Sequence, residues 1–221
     1  MILDKLSLKL RFGLLRSVKP VSRKWGCDRG LSIDRYYVEK FIKENSGDIR
    51  GRVLEFKDSR YATKFGGGGV TNVDVLNLEK GIPGTTIIAD LERQENIPFE
   101  LFDCIICTQV LQFVYDLKPA LYHLNRMLKP SGVLLVSFPF ISKIDQNWND
   151  CWRFTSFSAK KMFNEYFLPE NITVQGHGNV LSSCAFLYGL CSEDLSKKEL
   201  DYADPEYEML LMVRAVKGLN R

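Results

Sequence analysis

The chain has 221 residues, 45% of them hydrophobic and 26% charged, the profile of one soluble globular domain able to bury a single substantial core. Disorder, collagen and coiled coil are excluded. Thirty Lys and Arg against 27 Asp and Glu leave a net charge of +3, too little basic excess for a protein whose main task is to neutralise phosphates, so no nucleic acid is expected as partner.

The N-terminal stretch MILDKLSLKLRFGLLRSVKP is basic and partly amphipathic but lacks an apolar core followed by a small-residue cleavage site, so it does not read as a signal peptide. It packs on its own domain or makes weak peripheral membrane contact through residues 1–20. No run reaches the roughly 18–20 apolar residues of a transmembrane segment, and a cytoplasmic address is expected. A helix is predicted over Ile33–Asn45, capped by Ser32, with Tyr37, Phe41 and Ile42 on one face. GRVLEF reads as a first strand. After the glycines Gly66–Gly69, VTNVDVL, TTIIADL, FDCIICTQV and GVLLVSFPF read as four more. Between the fourth and fifth, LKPALYHLNRMLKPSG is a helix stopped by Pro130, with His123 partly exposed on it.

A polar loop, DQNWNDCWRF, leads to the helix SFSAKKMFNEYF, for which Thr155 or Ser156 is the cap. NITVQGHGN holds a strand, VLSSCAFLYGL a helix, and EMLLMVRAVK a final strand suited to antiparallel pairing at a sheet edge. This alternation predicts an α/β, three-layer doubly wound, mostly parallel sheet with a late antiparallel edge strand. One domain covers 1–221, with an N-terminal helical cap over 1–48, a core over 49–140 and a substrate-side loop with C-terminal strands over 141–221. The six cysteines are scattered, and the closest pair, Cys104 and Cys107, lies in an apolar run with no clustered histidine. Reduced thiols and no metal are expected.

In an open α/β sheet, ligands settle outside the carboxyl ends of the strands. Glu55, Asp74, Asp90 and Gln109 are each placed by the pattern at such an end, with Glu79 a rival to Asp74. A carboxylate after the second strand can accept both ribose hydroxyls of a nucleoside, and one after the third can meet the exocyclic amine of adenine. Glu55 either satisfies local amides or orders the following loop.

GRVLEF, VDVL, IIADLERQENIPFELFDCIICTQVLQFV and LNRMLKPSGVLLVSFP resemble the successive motifs of class I S-adenosylmethionine-dependent methyltransferases, over roughly Arg50 to Pro139. The flanks WGCDRGLSIDRYYVEKFI and WNDCWRFTSFSAKKMF are similar to a bacterial branch found alongside glycosyltransferases of surface-polysaccharide synthesis. The resemblance implies a Rossmann-like methyltransferase fold and methyl transfer from S-adenosyl-L-methionine to an oxygen or nitrogen of a small acceptor, a sugar or polysaccharide precursor. It implies cofactor contacts at Glu55, Asp58, Ser59, Asp74, Asp90, Leu91 and Gln109, with Leu91 on the adenine face. It departs from the family at one place. The cofactor loop that usually runs E/DxGxGxG is EFKDSRY here, so Lys57, Ser59 and Tyr61 stand where glycines are expected. Either Asp58, Ser59 and Gly66–Gly69 form the floor of the site instead, or the chain is a non-catalytic relative that binds a partner or saccharide through the same crevice.

Arg35, Tyr36 and Tyr37 are candidates for substrate contact, against a reading in which Tyr37 is core and Arg35 pairs with Glu39. Trp148, Trp152 and Arg153 suit stacking on a sugar ring, or equally a loop held down by two large side chains. Asp150 and His177, the latter on a loop between glycines, are the candidates for the group that takes the acceptor proton.

Overall fold

The computed structural model describes residues 17–219; the expectation for residues 1–20 therefore falls largely outside the described residues. The strands are β1 (Gly51–Phe56), β2 (Val70–Asn77), β3 (Ile87–Ile88), β4 (Phe102–Thr108), β5 (Leu128–Pro139), β6 (Ile172–His177) and β7 (Leu210–Val216). They form one sheet in the order β3-β2-β1-β4-β5-β7-β6. The first five are parallel. β7 runs antiparallel to both β5 and β6, so the antiparallel addition at the sheet edge is a pair of strands.

The central strands are apolar almost throughout because both faces of the sheet are covered. Successive side chains alternate between two cores. Leu54, Ile105, Cys107, Leu134, Val136 and Phe138 enter one, while Val53, Cys104, Ile106, Val133 and Leu135 enter the other. Helices α3 (Leu117–Met127) and α4 (Ser156–Asn164) cover the first face, through Leu121, Leu124, Ala159 and Phe163. The second is covered by α1 (Ile33–Glu44), α2 (Arg60–Phe65), α5 (Val180–Tyr188) and α6 (Lys197–Asp201), which contribute Ile33, Tyr37, Tyr61, Ala62, Ala185 and Leu200. Thr155 caps α4 in a reciprocal box with Ser158. Ser32 precedes α1, but its hydroxyl bonds the Asp34 carboxylate rather than a helix N–H.

Several boundaries differ from the pattern-based expectation. The third strand is only Ile87–Ile88, because as the sheet edge it pairs on one side alone. α3 ends at Met127 and Leu128, the first residue of β5, already pairs with Phe102 of β4, with Pro130 disfavouring helical geometry at Lys129. β2 runs Val70–Asn77, one residue beyond VTNVDVL, and Asp74 lies in its middle, opposite Leu54, not at the carboxyl end where a ligand-facing acid is expected.

The chain leaves β1 toward β2 and β3, then crosses back to place β4 on the other side of β1. The crevice of a doubly wound sheet opens at the carboxyl ends of such a strand pair. α1 leads through Ser46–Asp48 into the start of β1, so its own N-terminus, with Asp34 and Arg35, lies toward the carboxyl rim. The glycine run lies between α2 and the start of β2. Gly69 sits against Arg50 at the amino edge of the sheet, so these glycines do not form a floor for the carboxyl rim.

Candidate active site

At the end of β1, the buried Glu55 carboxylate accepts the backbone N–H groups of Tyr61 (3.0 Å) and Ala62 (2.8 Å). It thereby fixes the start of α2. Burial pushes this carboxyl up to about 7, against the opposing pull of the two N–H groups. Between Glu55 and α2 the chain turns at Lys57, whose φ of 73° is in the left-handed region that glycine usually occupies. The Lys57 N–H donates to the Leu76 carbonyl (3.2 Å), and Asn77 Nδ2 reaches the Lys57 carbonyl (3.4 Å). The Lys57 side chain is exposed. Tyr61, only 4% exposed, turns into the core beneath α1, where Arg35 donates to its hydroxyl (3.2 Å). The glycine-poor turn therefore keeps a glycine-like backbone, with one bulky side chain in solvent and the other in the core. Asp58 and Ser59 are half-buried, and Asp58 accepts the Arg60 N–H at 3.0 Å.

Asp74 is not at the rim. Its carboxylate is taken by Arg52 Nε (2.7 Å), the Thr86 hydroxyl (2.8 Å) and Asn72 Nδ2 (3.0 Å). Burial raises its affinity for a proton, but these donors outweigh it and hold the carboxyl below the usual range. Asn77 ends β2 instead and Glu79 follows two residues later, exposed. Asp90 lies just beyond β3, half-buried, where it accepts the Glu92 N–H (2.9 Å) and lies 3.5 Å from Arg93. Leu91 packs into the core on the α3 face. Its carbonyl lies 2.8 Å from Nδ1 of His123, which is 4% exposed rather than partly solvated as the helix pattern predicts.

Beyond β4 the chain makes a second left-handed turn at Gln109 (φ 55°), whose N–H donates to the Ser137 carbonyl of β5 (2.8 Å). Gln112, three residues on and 4% exposed, donates from Nε2 to Gln109 Oε1 at 3.1 Å. The remaining amide atoms, Gln109 Nε2 and Gln112 Oε1, are buried without a partner, as is Ser137 Oγ. Each such orphan costs about 1–3 kcal/mol. The pattern-based reading missed Gln112; the signal was a second polar residue inside the apolar run TQVLQFV.

The loop of residues 145–153 hangs over this turn. The Gln112 carbonyl accepts the N–H groups of Cys151 (2.9 Å) and Trp152 (3.1 Å), and the Trp152 indole donates to the Val114 carbonyl (2.9 Å). Trp148 lies against Phe113 and Trp152 stacks on Tyr115, at centroid distances of 5.9 and 6.1 Å. Asp150 closes the loop on itself. It accepts the Arg153 guanidinium in a fork (2.5 and 2.9 Å) and the Asp145 N–H (2.9 Å), and the Arg153 contact holds its carboxyl low. Arg153 also donates to the Lys143 carbonyl (3.1 Å).

His177 is the last residue of β6, not a loop residue, and aligns through Leu210 with Pro139 of β5. Three strand spacings of about 4.8 Å put it about 14 Å from the end of β4. Burial, with Lys40 adding to it, drives its imidazole down to about 4, so it is neutral at pH 7. Tyr37 is 2% exposed and donates to the Leu200 carbonyl (2.8 Å). Tyr36 donates to Asp201 (2.9 Å). Glu39 pairs with Lys64 (2.7 Å) rather than with Arg35. The structure thus places Glu55, Asp58, Ser59, Asp90 and Gln109 at the carboxyl ends of β1, β3 and β4, with the aromatic loop over the turn after β4. Asp74 lies in mid-strand, and His177, with Tyr37 beside it, lies on the same side of the sheet but at β6, away from β1 and β4, while Tyr36 is turned to Asp201. Among the described residues no group of His, Cys, Asp and Glu is arranged to hold a metal ion, and no helix is long and apolar enough to cross a membrane.

Comparison with known proteins agrees with this architecture. Residues 64–136 match the family model described as a methyltransferase domain, a span that begins beyond β1 and the Lys57 turn. No curated protein matches. A methyltransferase dependent on S-adenosylmethionine from Archaeoglobus fulgidus is 11% identical with a TM-score of 0.54, covering 83% of this chain and 94% of its own. Another from Mesorhizobium loti is 16% identical with a TM-score of 0.51, covering 84% and 98%. Phosphoethanolamine N-methyltransferase 2 of Haemonchus contortus, in complex with S-adenosyl-L-methionine, is 10% identical with a TM-score of 0.53, covering 91% of this chain and 54% of its own. The chain has the α/β fold of the S-adenosylmethionine-dependent methyltransferases, and its residues 64–136 match a methyltransferase domain.

Proposed function

We propose that this chain is an S-adenosylmethionine-dependent methyltransferase acting on an oxygen or nitrogen of a small acceptor, a sugar or polysaccharide precursor of the cytoplasm. The turn at Lys57 carries the proposal. Its left-handed backbone and outward side chain, with Tyr61 in the core, keep the β1 end open to a nucleoside despite the missing glycines. The orphaned Gln109 amide adds a polar group that awaits a partner beside it, at the end of β4 on the acceptor side. Glu79 takes the ribose hydroxyls in place of Asp74, Asp90 faces the adenine, and Asp58 with Ser59 lines the remainder. When bound, S-adenosylmethionine supplies an electrophilic methyl group. The protein then has to align the acceptor oxygen or nitrogen and exclude water around it. The 145–153 loop is suited to both, with Trp148 and Trp152 offering ring faces to the apolar side of a sugar. Asp150 serves as the loop's anchor, since Arg153 and Asp145 occupy its carboxylate.

Thermal unfolding with S-adenosylhomocysteine tests this. At 100 times the dissociation constant the added stability is about 2.7 kcal/mol, a rise of about 5–10 °C for a domain of this size. No rise at millimolar ligand would favour the non-catalytic reading, in which the same crevice binds a partner or saccharide.

A further inference from the structure

We propose that the Gln109 and Gln112 side chains form the acceptor-binding clamp, and that it selects a neutral hydroxyl rather than a charged group. The inference rests on the methyltransferase reading and deepens it. Among the described residues, buried polar side-chain atoms without a partner are few, and three of them, Gln109 Nε2, Gln112 Oε1 and Ser137 Oγ, belong to the ends of β4 and β5 and the turn between β4 and α3. Natural interiors rarely leave such groups unpaired without a functional reason. The two amides contact each other through one N–H and one carbonyl oxygen, so one amide is left with an unpaired N–H and the other with an unpaired C=O. Exchanging O and N in both side chains reverses the roles without removing either group. A hydroxyl is a small group that is donor and acceptor at once: its O–H satisfies the unpaired C=O and its oxygen receives the unpaired N–H, so this hydroxyl keeps its proton and positions the acceptor, whose methylated atom releases its own proton to water. An ammonium has nothing to offer the N–H, and a carboxylate nothing to offer the C=O.

The surroundings agree with a neutral ligand. Thr108 and Ser137 face each other in register at the strand ends, and the aromatic loop above hangs from the Gln112 carbonyl itself. Two charges of that loop, Asp150 and Arg153, neutralise one another. Gln112 therefore does two things, fixing the loop through its backbone and holding the acceptor through its side chain.

The test uses the full chain and two readouts. S-adenosylhomocysteine binding is measured by calorimetry for the wild type, Q109M, Q112M and the double variant, and melting confirms that each is folded. Methyl transfer from S-adenosylmethionine is measured on a panel of neutral methyl hexopyranosides, with methyl glucuronoside and methyl glucosaminide as charged counterparts. The expected outcome is methylation of a neutral glycoside in preference to both charged ones. In Q112M its KM rises about tenfold or more while kcat and S-adenosylhomocysteine affinity stay within about threefold, and Q112N recovers part of the loss. The proposal is overturned if the variants leave KM unchanged, if they lose S-adenosylhomocysteine instead, if a charged glycoside is preferred, or if no neutral glycoside is methylated while S-adenosylhomocysteine binds. Absence of S-adenosylhomocysteine binding by the wild type overturns the methyltransferase reading itself, and this inference with it.

Discussion

Glu55 is a buried carboxylate whose proton affinity is raised by desolvation, to about 7. Its folded value exceeds the unfolded one of about 4.5, so its stabilising contribution is complete below pH 4.5 and is lost as pH rises through 7. Wild-type stability relative to E55Q should therefore fall by up to about 3 kcal/mol between pH 4.5 and 8, as read from urea unfolding at each pH. A flat or rising difference would show that the carboxyl is ionised throughout. Lys57 offers a second single-residue test. Its positive φ costs a side-chain residue about 1 kcal/mol, more if β-branched. K57G should leave stability unchanged or raise it by up to about 1 kcal/mol, whereas K57V should lose about 1–2 kcal/mol. Equal stability of the two variants would mean that the turn is not left-handed. The need for an unusual backbone at this position was legible in the motif. The ability of a lysine to adopt it was not, because composition says nothing about which of two strained turns a neighbouring strand will hold in place through Leu76 and Asn77.

At the scale of elements, the 145–153 loop is kept in place by contacts of three kinds: backbone bonds to Gln112, the Trp152 indole on Val114, and the Asp150–Arg153 fork. If Asp150 is an anchor, D150N should cost about 1–3 kcal/mol by leaving Arg153 half-partnered, and should make residues 141–153 more susceptible to proteolysis. Activity should fall by less than about tenfold, with an unchanged pH profile. A general base would instead lose about 100-fold or more and shift that profile. The strands and helices themselves were legible where one period dominated, as in VLLVSF and LYHLNRM. The register was less so: Asp74 follows VTNV as a strand-end acid would, yet β2 runs on through Val75, Leu76 and Asn77 because β1 pairs with it as far as Leu76 and β3 pairs with Asn77. Arg52, two residues before the middle of β1, is the partner that a carboxylate in mid-strand requires. Pairing between strands far apart in the chain decides such cases, and a local pattern does not carry it.

At the scale of the molecule, the layer architecture and the crevice at the β1/β4 divide follow from the order of the elements, which survives changes in loop chemistry. The joint placement of Gln109, Gln112, Ser137 and the tryptophans depends on loops meeting at one rim, and no spacing announces it. β7 has a consequence of another kind. It is the last strand of the chain, yet it lies inside the sheet, between β5 and β6. During synthesis β6 has no neighbour to join until residues 210–216 leave the ribosome, and β5 keeps one flank bare until then. A nascent chain halted before Leu210 would present two open strand borders to the cell. Ribosome-bound intermediates of that length should accordingly engage chaperones or aggregate, whereas chains released after residue 216 should close the sheet and escape.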